Sequence, residues 1–220
     1  MVNIGIMGNG PSYLLPDLSL YQSKIDVWIG ADRGAFTLLN NQIKVNYAVG
    51  DFDSVDHEEK KVIKQYARYY AEYPPEKDKT DIEIALLKAF ELKPTKIYLF
   101  GVTGGRLDHE LVNIQLLYSI ITKGIEGVVV DKYNMLELTT PNSYKVERDD
   151  NYPNISFIPY TQQVKGLTLT DFYYPLVNES ISWGSTLSIS NKLLSNSGTF
   201  FYEEGILLLI KSRDISAIHK

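Results

Sequence analysis

Along the first 130 residues, short apolar runs alternate with stretches whose apolar positions recur at helical spacing. A buried parallel strand reads as a continuous apolar run, and an amphipathic helix as apolar residues three and four apart. Strands are therefore predicted at 3–7 (Asn-Ile-Gly-Ile-Met), 26–31 (Asp-Val-Trp-Ile-Gly-Ala), 47–50 (Tyr-Ala-Val-Gly), 96–102 and 127–130. Helices are predicted after Gly34, Asp56, Thr80 and Asp108. Two of these starts carry a chemical signature. Asp56 with Glu59, and Thr80 with Glu83, fit the capping box, in which each side chain satisfies a backbone N–H at the helix start.

From Met135 onward the texture changes to short β-rich runs separated by turn residues, at 136–139, 155–158, 166–170, 180–183, 187–190, 199–202 and 206–210. Alternating strands and helices build a parallel sheet, and closely spaced short strands build an antiparallel sandwich. The expected fold is an α/β N-terminal domain with a mostly parallel sheet over residues 1–132, followed by a small all-β antiparallel sandwich domain over 133–220.

Composition narrows the function. The chain has no cysteine, which excludes disulfides, thiolate metal sites and cysteine nucleophiles. A net charge of −5 argues against a nucleic-acid partner, which would need clustered Lys and Arg. The deficit is uneven: residues 151–220 carry five basic and five acidic side chains, so the excess acid lies in residues 1–150. No apolar run approaches the roughly 20 residues of a membrane helix, so no membrane partner is expected. The opening Met-Val-Asn-Ile-Gly-Ile-Met-Gly lacks the basic flank and long apolar centre of a signal peptide, and a cytoplasmic location is expected.

That excess acid falls where predicted strands end. Asp32 follows the second strand, and Gly50-Asp51-Phe-Asp53-Ser54 follows the third. Asp78 and Asp81 lie in a proline-rich loop and at the helix start beyond it. Like charges this close repel unless a cation lies between them, and Mg²⁺ is a hard ion that prefers carboxylate oxygens. Thr103-Gly-Gly-Arg106, between a strand and a helix, offers backbone N–H groups, a planar cation and a helix dipole to an anion. Gly8-Asn-Gly-Pro11 has neither dinucleotide-fold nor P-loop spacing and reads as a plain turn. In the β half, Ser188 and Ser190 would share one strand face, with Asn191 and Tyr174 near enough in type to hold a polar heterocycle. The residues together describe a Mg-dependent nucleotide enzyme whose β domain helps to hold the acceptor. They leave open which phosphorus is attacked and which ring is bound.

Gly30-Ala-Asp-Arg-Gly-Ala35, Gly50-Asp-Phe-Asp-Ser54, Lys77-Asp-Lys-Thr-Asp81 and Thr103-Gly-Gly-Arg-Leu-Asp-His109 stand in the order of the thiamine pyrophosphokinase motifs. The chain resembles that family over nearly its whole length, and Tyr174-Pro-Leu176 with Ser188-Ile-Ser-Asn191 resembles its thiamine-binding part. The resemblance implies an ATP:thiamine diphosphotransferase in which the thiamine hydroxyl attacks the β-phosphorus and AMP departs. It implies catalytic roles for Asp51, Asp53, Asp78 and Asp81, with Asp51, Asp53 and Asp81 as Mg²⁺ ligands. It places Asp32, Arg33, Thr80, Thr103, Arg106 and Asp108 at the nucleotide, and Tyr174, Ser188, Ser190 and Asn191 at thiamine. It further implies ATP as co-substrate and a homodimer with thiamine between subunits. Two rivals stand beside it: a Mg-dependent pyrophosphokinase or phosphotransferase acting on another heterocyclic alcohol such as a pterin, and a non-catalytic nucleotide- or carbohydrate-binding module.

Overall fold

The computed structural model describes residues 1–215 except Pro75 and Lys77. Those two, which belong to the proline-rich loop and the Lys77–Asp81 motif, lie outside the described residues. The chain folds as two compact units, Met1–Lys132 and Tyr133–Lys220.

The first unit alternates strand and helix: β1 (Asn3–Met7), α1 (Ser19–Gln22), β2 (Val27–Ala31), α2 (Gly34–Asn40), β3 (Tyr47–Gly50), α3 (His57–Tyr66), β4 (Tyr69–Glu72), α4 (Asp81–Glu91), β5 (Lys96–Phe100), α5 (Leu107–Ile121) and β6 (Glu126–Val130). All six strands pair in parallel, in the spatial order β4-β3-β2-β1-β5-β6. Apart from the edge strand β4, they are apolar because both faces are covered: Ile4, Ile6, Met7, Ile29, Leu99, Phe100 and Val129 are fully buried, and α2, α4 and α5 pack against the strands. The chain runs outward from β1 to β4 and then returns to β5 on the other side of β1. Loops leaving β1 and β5 therefore diverge at their carboxyl ends and open a crevice there, the usual ligand position in a sheet of this type.

Both capping boxes form with both reciprocal hydrogen bonds, so α3 and α4 begin where the sequence predicts. The edge strand β4 was not anticipated. Its Tyr-Tyr-Ala-Glu is exposed at both ends and half-buried between, so it shows no alternation to read.

The second unit has two antiparallel sheets. One is β7 (Asn134–Thr139), β13 (Leu207–Ser212) and β9 (Asn154–Pro159), with β13 central. The other runs β11 (Leu176–Ser182), β10 (Gln163–Thr170), β12 (Ser197–Phe201) and β8 (Ser143–Glu147). Phe157 and Leu209 from the first sheet and Leu169, Ile181 and Phe200 from the second share one buried cluster, the arrangement of a sandwich. No helix occurs in this unit among the described residues.

One expected strand is absent. Residues 187–190 form turns and bends, not extended backbone, and Ser190 has φ 55°. The segment lies beside β9 through isolated bonds: the Phe157 N–H donates to Ser188 O, and Ile155 and Asn191 exchange backbone hydrogen bonds at 2.8 Å. Ser188 and Ser190 consequently do not share a strand face: the first is buried and the second exposed.

Candidate active site

Asp32 leaves β2 in the left-handed region at φ 51°, a conformation that Asp tolerates better than most residues. Its N–H donates to Val49 O at 2.8 Å, which ties the end of β2 to β3. At Gly50, which ends β3 with φ 150°, a Cβ would lie 3.0 Å from Asp32 N and 3.2 Å from an Asp81 carboxylate oxygen. Glycine is thus what lets these two acidic positions approach the strand end. Beyond it, Asp53 N–H donates to Asp51 Oδ1 at 3.3 Å. Phe52 between them is buried at φ 56°, its ring stacked on Tyr70 with centroids 4.7 Å apart. Folding the ring inward leaves Asp51 half-buried and Asp53 exposed on either side of it.

Asp32, Asp51 and Asp53 each offer a carboxylate oxygen, all within 4.8 Å of one another. Burial pushes the Asp32 pKa up; hydrogen bonds from the Ser54 hydroxyl and the Arg33 N–H oppose this, and the Asp81 and Asp51 charges add to it. Asp32 Oδ2 accepts the Ser54 hydroxyl, whereas Asp32 Oδ1 is buried and has no hydrogen-bond partner among the described residues. A buried carboxylate oxygen left without a donor is costly. Two neighbouring carboxylates and one such oxygen form a donor set suited to a hard divalent cation such as Mg²⁺.

Asp32 also lines a cleft of about 490 Å³ at the diverging loops after β1 and β5. Thr80 and Asp81 at the start of α4 form one wall, and Gly104, Gly105, Arg106 and His109 at the start of α5 form another. The Gly-Gly loop is held by two α5 residues that also line the cleft: Gly104 N–H donates to Glu110 Oε2 at 2.9 Å, and Asn113 Nδ2 donates to Val102 O at 3.0 Å. Two helix starts and a glycine loop give the cleft the donors an oligophosphate needs. Arg106 is exposed and forks onto Asp108, at 3.2 Å from Nε and 2.6 Å from the terminal nitrogen. That bond to Arg106 pulls the Asp108 pKa down to about 2.

Other expected site residues lie elsewhere. Thr103 is buried and donates to Asp131 Oδ2 at 2.9 Å, so its hydroxyl is turned inward. Arg33 pairs with Glu59 at 2.6 Å and lines a neighbouring cleft of about 560 Å³ with Thr37 and Asn40. Asp78 is exposed on a groove with Tyr47, Tyr69 and Lys88, apart from the three clustered aspartates.

In the second unit, Asn191 is buried, and its amide bonds both backbone groups of Tyr174, at 2.9 Å from the N–H and 2.7 Å to the carbonyl. This clamp brings Tyr174 and the 188–191 turn together. Ser188 donates to Phe157 O at 2.6 Å, while Ser190 and Tyr174 are exposed. Asn9, Glu110 and Asn113 belong to none of the patterns read from the sequence, and Ser54 stands there only as the end of the Gly50-Asp-Phe-Asp-Ser54 motif, with no role of its own.

Two family models match the chain. One, described as thiamin pyrophosphokinase, catalytic domain, covers residues 18–129, and the other, thiamin pyrophosphokinase, vitamin B1 binding domain, covers 143–207. A protein of Bacillus subtilis (strain 168) named thiamine pyrophosphokinase is 45% identical over 214 residues, spanning 97% of this chain and 100% of that one. The crystal structure of thiamine pyrophosphokinase from Bacillus subtilis matches with a TM-score of 0.92 at 45% identity, covering 97% of this chain and 100% of that chain. The one from Geobacillus thermodenitrificans matches at 0.88 and 44% identity, covering 99% and 100%.

Proposed function

The chain belongs to the thiamine pyrophosphokinase family and is an enzyme with ATP and thiamine as substrates, and from that premise we propose how its residues carry out the transfer. The thiamine hydroxyl attacks the β-phosphorus of ATP. A new O–P bond forms, the bond from the β-phosphorus to the α,β-bridging oxygen breaks, and AMP leaves with that oxygen. The hydroxyl proton passes to one of the clustered carboxylates.

The observation that carries this reading is the convergence of Asp32, Asp51 and Asp53, with one oxygen of Asp32 buried and unpartnered, beside a cleft built for phosphates. Asp51 and Asp53, with Asp32 and with Asp81 across Gly50, would hold Mg²⁺. Bound there, the ion would neutralise the phosphate oxygens and polarise the phosphorus under attack. Thr80, Asp81 and the Gly104-Gly105 loop orient the oligophosphate, and Arg106 exchanges Asp108 for a phosphate oxygen. Asp78 takes part only if its loop turns toward the cleft. Thr103, turned onto Asp131, and Arg33, held by Glu59, act on the nucleotide through the shape of their loops.

Ser190 and Tyr174 present the polar and aromatic groups for thiamine, on a turn that Ser188 and Asn191 lock in place. We propose a homodimer with thiamine between subunits. The second unit leaves Tyr173, Tyr174, Val177, Leu187, Ile189 and Leu194 exposed, apolar side chains that a subunit interface would cover. We place the reaction in the cytoplasm, where ATP is abundant.

The test is AMP release from Mg-ATP by the purified chain, with and without thiamine. Thiamine-dependent AMP accompanied by equal thiamine diphosphate is expected. ADP in place of AMP would overturn the site of attack, and turnover with a pterin but not with thiamine would overturn the acceptor.

A further inference from the structure

The Gly8-Asn9-Gly10 turn after β1 reads in the sequence as a plain connection, yet it is held more rigidly than a connection requires. Gly8 N–H donates to Phe100 O at 2.8 Å, and Gly10 N–H donates to Gly101 O at 2.7 Å, so the residues on both sides of Asn9 are bonded to the end of β5. The fit leaves no room for side chains, because a Cβ at Gly8 or Gly10 would lie 2.6 or 2.7 Å from the Gly101 carbonyl oxygen. Asn9 is therefore the one side chain this clamped turn presents, and it lines the same cleft as Asp32.

Asn9 Nδ2 donates to Ser54 Oγ at 3.1 Å, across 45 positions of sequence. A hydroxyl has a single hydrogen. With one of its lone pairs taken by Asn9, Ser54 gives that hydrogen to Asp32 Oδ2. The chain thus runs in one direction, from Asn9 through Ser54 to Asp32. It occupies one oxygen of the carboxylate and leaves Oδ1 as the oxygen with no donor among the described residues. Ser54 also follows Asp53 directly, so the same hydroxyl links the Asp51-Phe-Asp53 turn to the end of β2.

We infer that Asn9 and Ser54 are positioning residues for the cation site, fixing the Asp32 carboxylate so that a single oxygen is presented alongside Asp51 and Asp53. This rests on the Mg²⁺ role proposed above for that cluster. Groups that hydrogen-bond a metal ligand from behind ordinarily tune affinity by about 10- to 100-fold. Ser54 lines neither substrate position in this assignment, whereas Asn9 also lines the oligophosphate cleft, so metal affinity is read without nucleotide. Their removal acts on metal affinity first and on thiamine binding little.

The test uses Mn²⁺ alone, added to the nucleotide-free full-length chain, with free Mn²⁺ measured by electron paramagnetic resonance. Ser54→Ala and Asn9→Ala are each expected to weaken Mn²⁺ binding by about tenfold. The double variant should be little worse than Ser54→Ala, because the links of one chain are not additive. Ser54→Thr, which keeps the hydroxyl, should recover most of the affinity. In turnover, the Mg²⁺ concentration giving half the maximal rate should rise in the alanine variants while the thiamine KM stays near that of the wild type. Thermal unfolding of each variant separates a lost contact from a lost fold. If both folded alanine variants bind Mn²⁺ as the wild type does, the positioning role is overturned while the metal reading stands. If the wild type itself shows no Mn²⁺ site that Asp51→Asn removes, the metal reading fails, and the positioning role with it.

Discussion

Phe52 offers a quantitative test of how the aspartate turn is held. Phe52 is only 3% exposed and its ring stacks on Tyr70, with Lys60 Nζ 5.9 Å from the centroid, yet the backbone sits at φ 56°. Packing favours the phenylalanine, and the backbone disfavours any residue with a Cβ. Truncating a buried Phe to Ala costs about 3–5 kcal/mol, and the lower end applies here because a turn can collapse into part of the space. The left-handed conformation costs a non-glycine residue about 1–2 kcal/mol, which glycine does not incur. Phe52→Ala is therefore expected to destabilise by about 3 kcal/mol, and Phe52→Gly by about 1 kcal/mol less. That order reverses the usual one, in which glycine is the worse replacement. Thermal melts should show Phe52→Ala lowered by about 6–12 °C, with Phe52→Gly melting above it. Below the transition, both variants should need more Mg²⁺ for half-maximal turnover, since the ring anchors Asp51 and Asp53 on either side. Phe52→Gly melting below Phe52→Ala would refute the backbone reasoning. A loss under about 1 kcal/mol for Phe52→Ala would refute the packing.

Asp51→Asn and Asp53→Asn should each lower turnover by more than about a hundredfold without lowering the unfolding midpoint, since removing charge from a like-charged cluster relieves repulsion. Wild-type turnover in both would contradict the metal assignment. Asn191→Ala strips the clamp from two backbone groups of Tyr174 and should cost about 2 kcal/mol. It should also raise the KM for thiamine more than that for ATP, and steady-state kinetics with each substrate varied in turn decides this. Asp108 should titrate near pH 2, as followed by carboxyl NMR, and Arg106→Gln should return it to the ordinary carboxylate range. Its folded pKa is depressed, so the pair's contribution to stability is present above about pH 4 and fades as the pH falls toward 2.

What the sequence made legible was local. The capping residues Asp56 with Glu59 and Thr80 with Glu83 act over three positions, so their spacing alone located two helices. The apolar strands of the first unit were legible because burial on both faces leaves no polar interruption. The carboxylates at their ends followed from chain order, since parallel strands put every such end on one edge. Asp32 was legible as one of these strand-end carboxylates, but its approach to Asp51 and Asp53 comes from β2–β3 pairing and depends on strand order, not on spacing. The bond between Asn9 and Ser54 was illegible for the same reason, since it spans 45 residues. Residues 187–190 misled because Leu-Ser-Ile-Ser alternates as a strand does. In the fold that alternation comes from a turn beside β9, with Ser188 buried on the Phe157 carbonyl and Ser190 left outside.

The central claim is attack at the β-phosphorus by thiamine, and the fate of a label decides it most directly. ATP carrying radioactive phosphorus at the β position would be incubated with the enzyme, Mg²⁺ and thiamine, and the products separated. The label is expected in thiamine diphosphate, on the phosphorus bonded to the thiamine oxygen, with unlabelled AMP released in equal amount. Label recovered in ADP beside unlabelled thiamine monophosphate would mean transfer of the γ-phosphoryl group and would contradict the account.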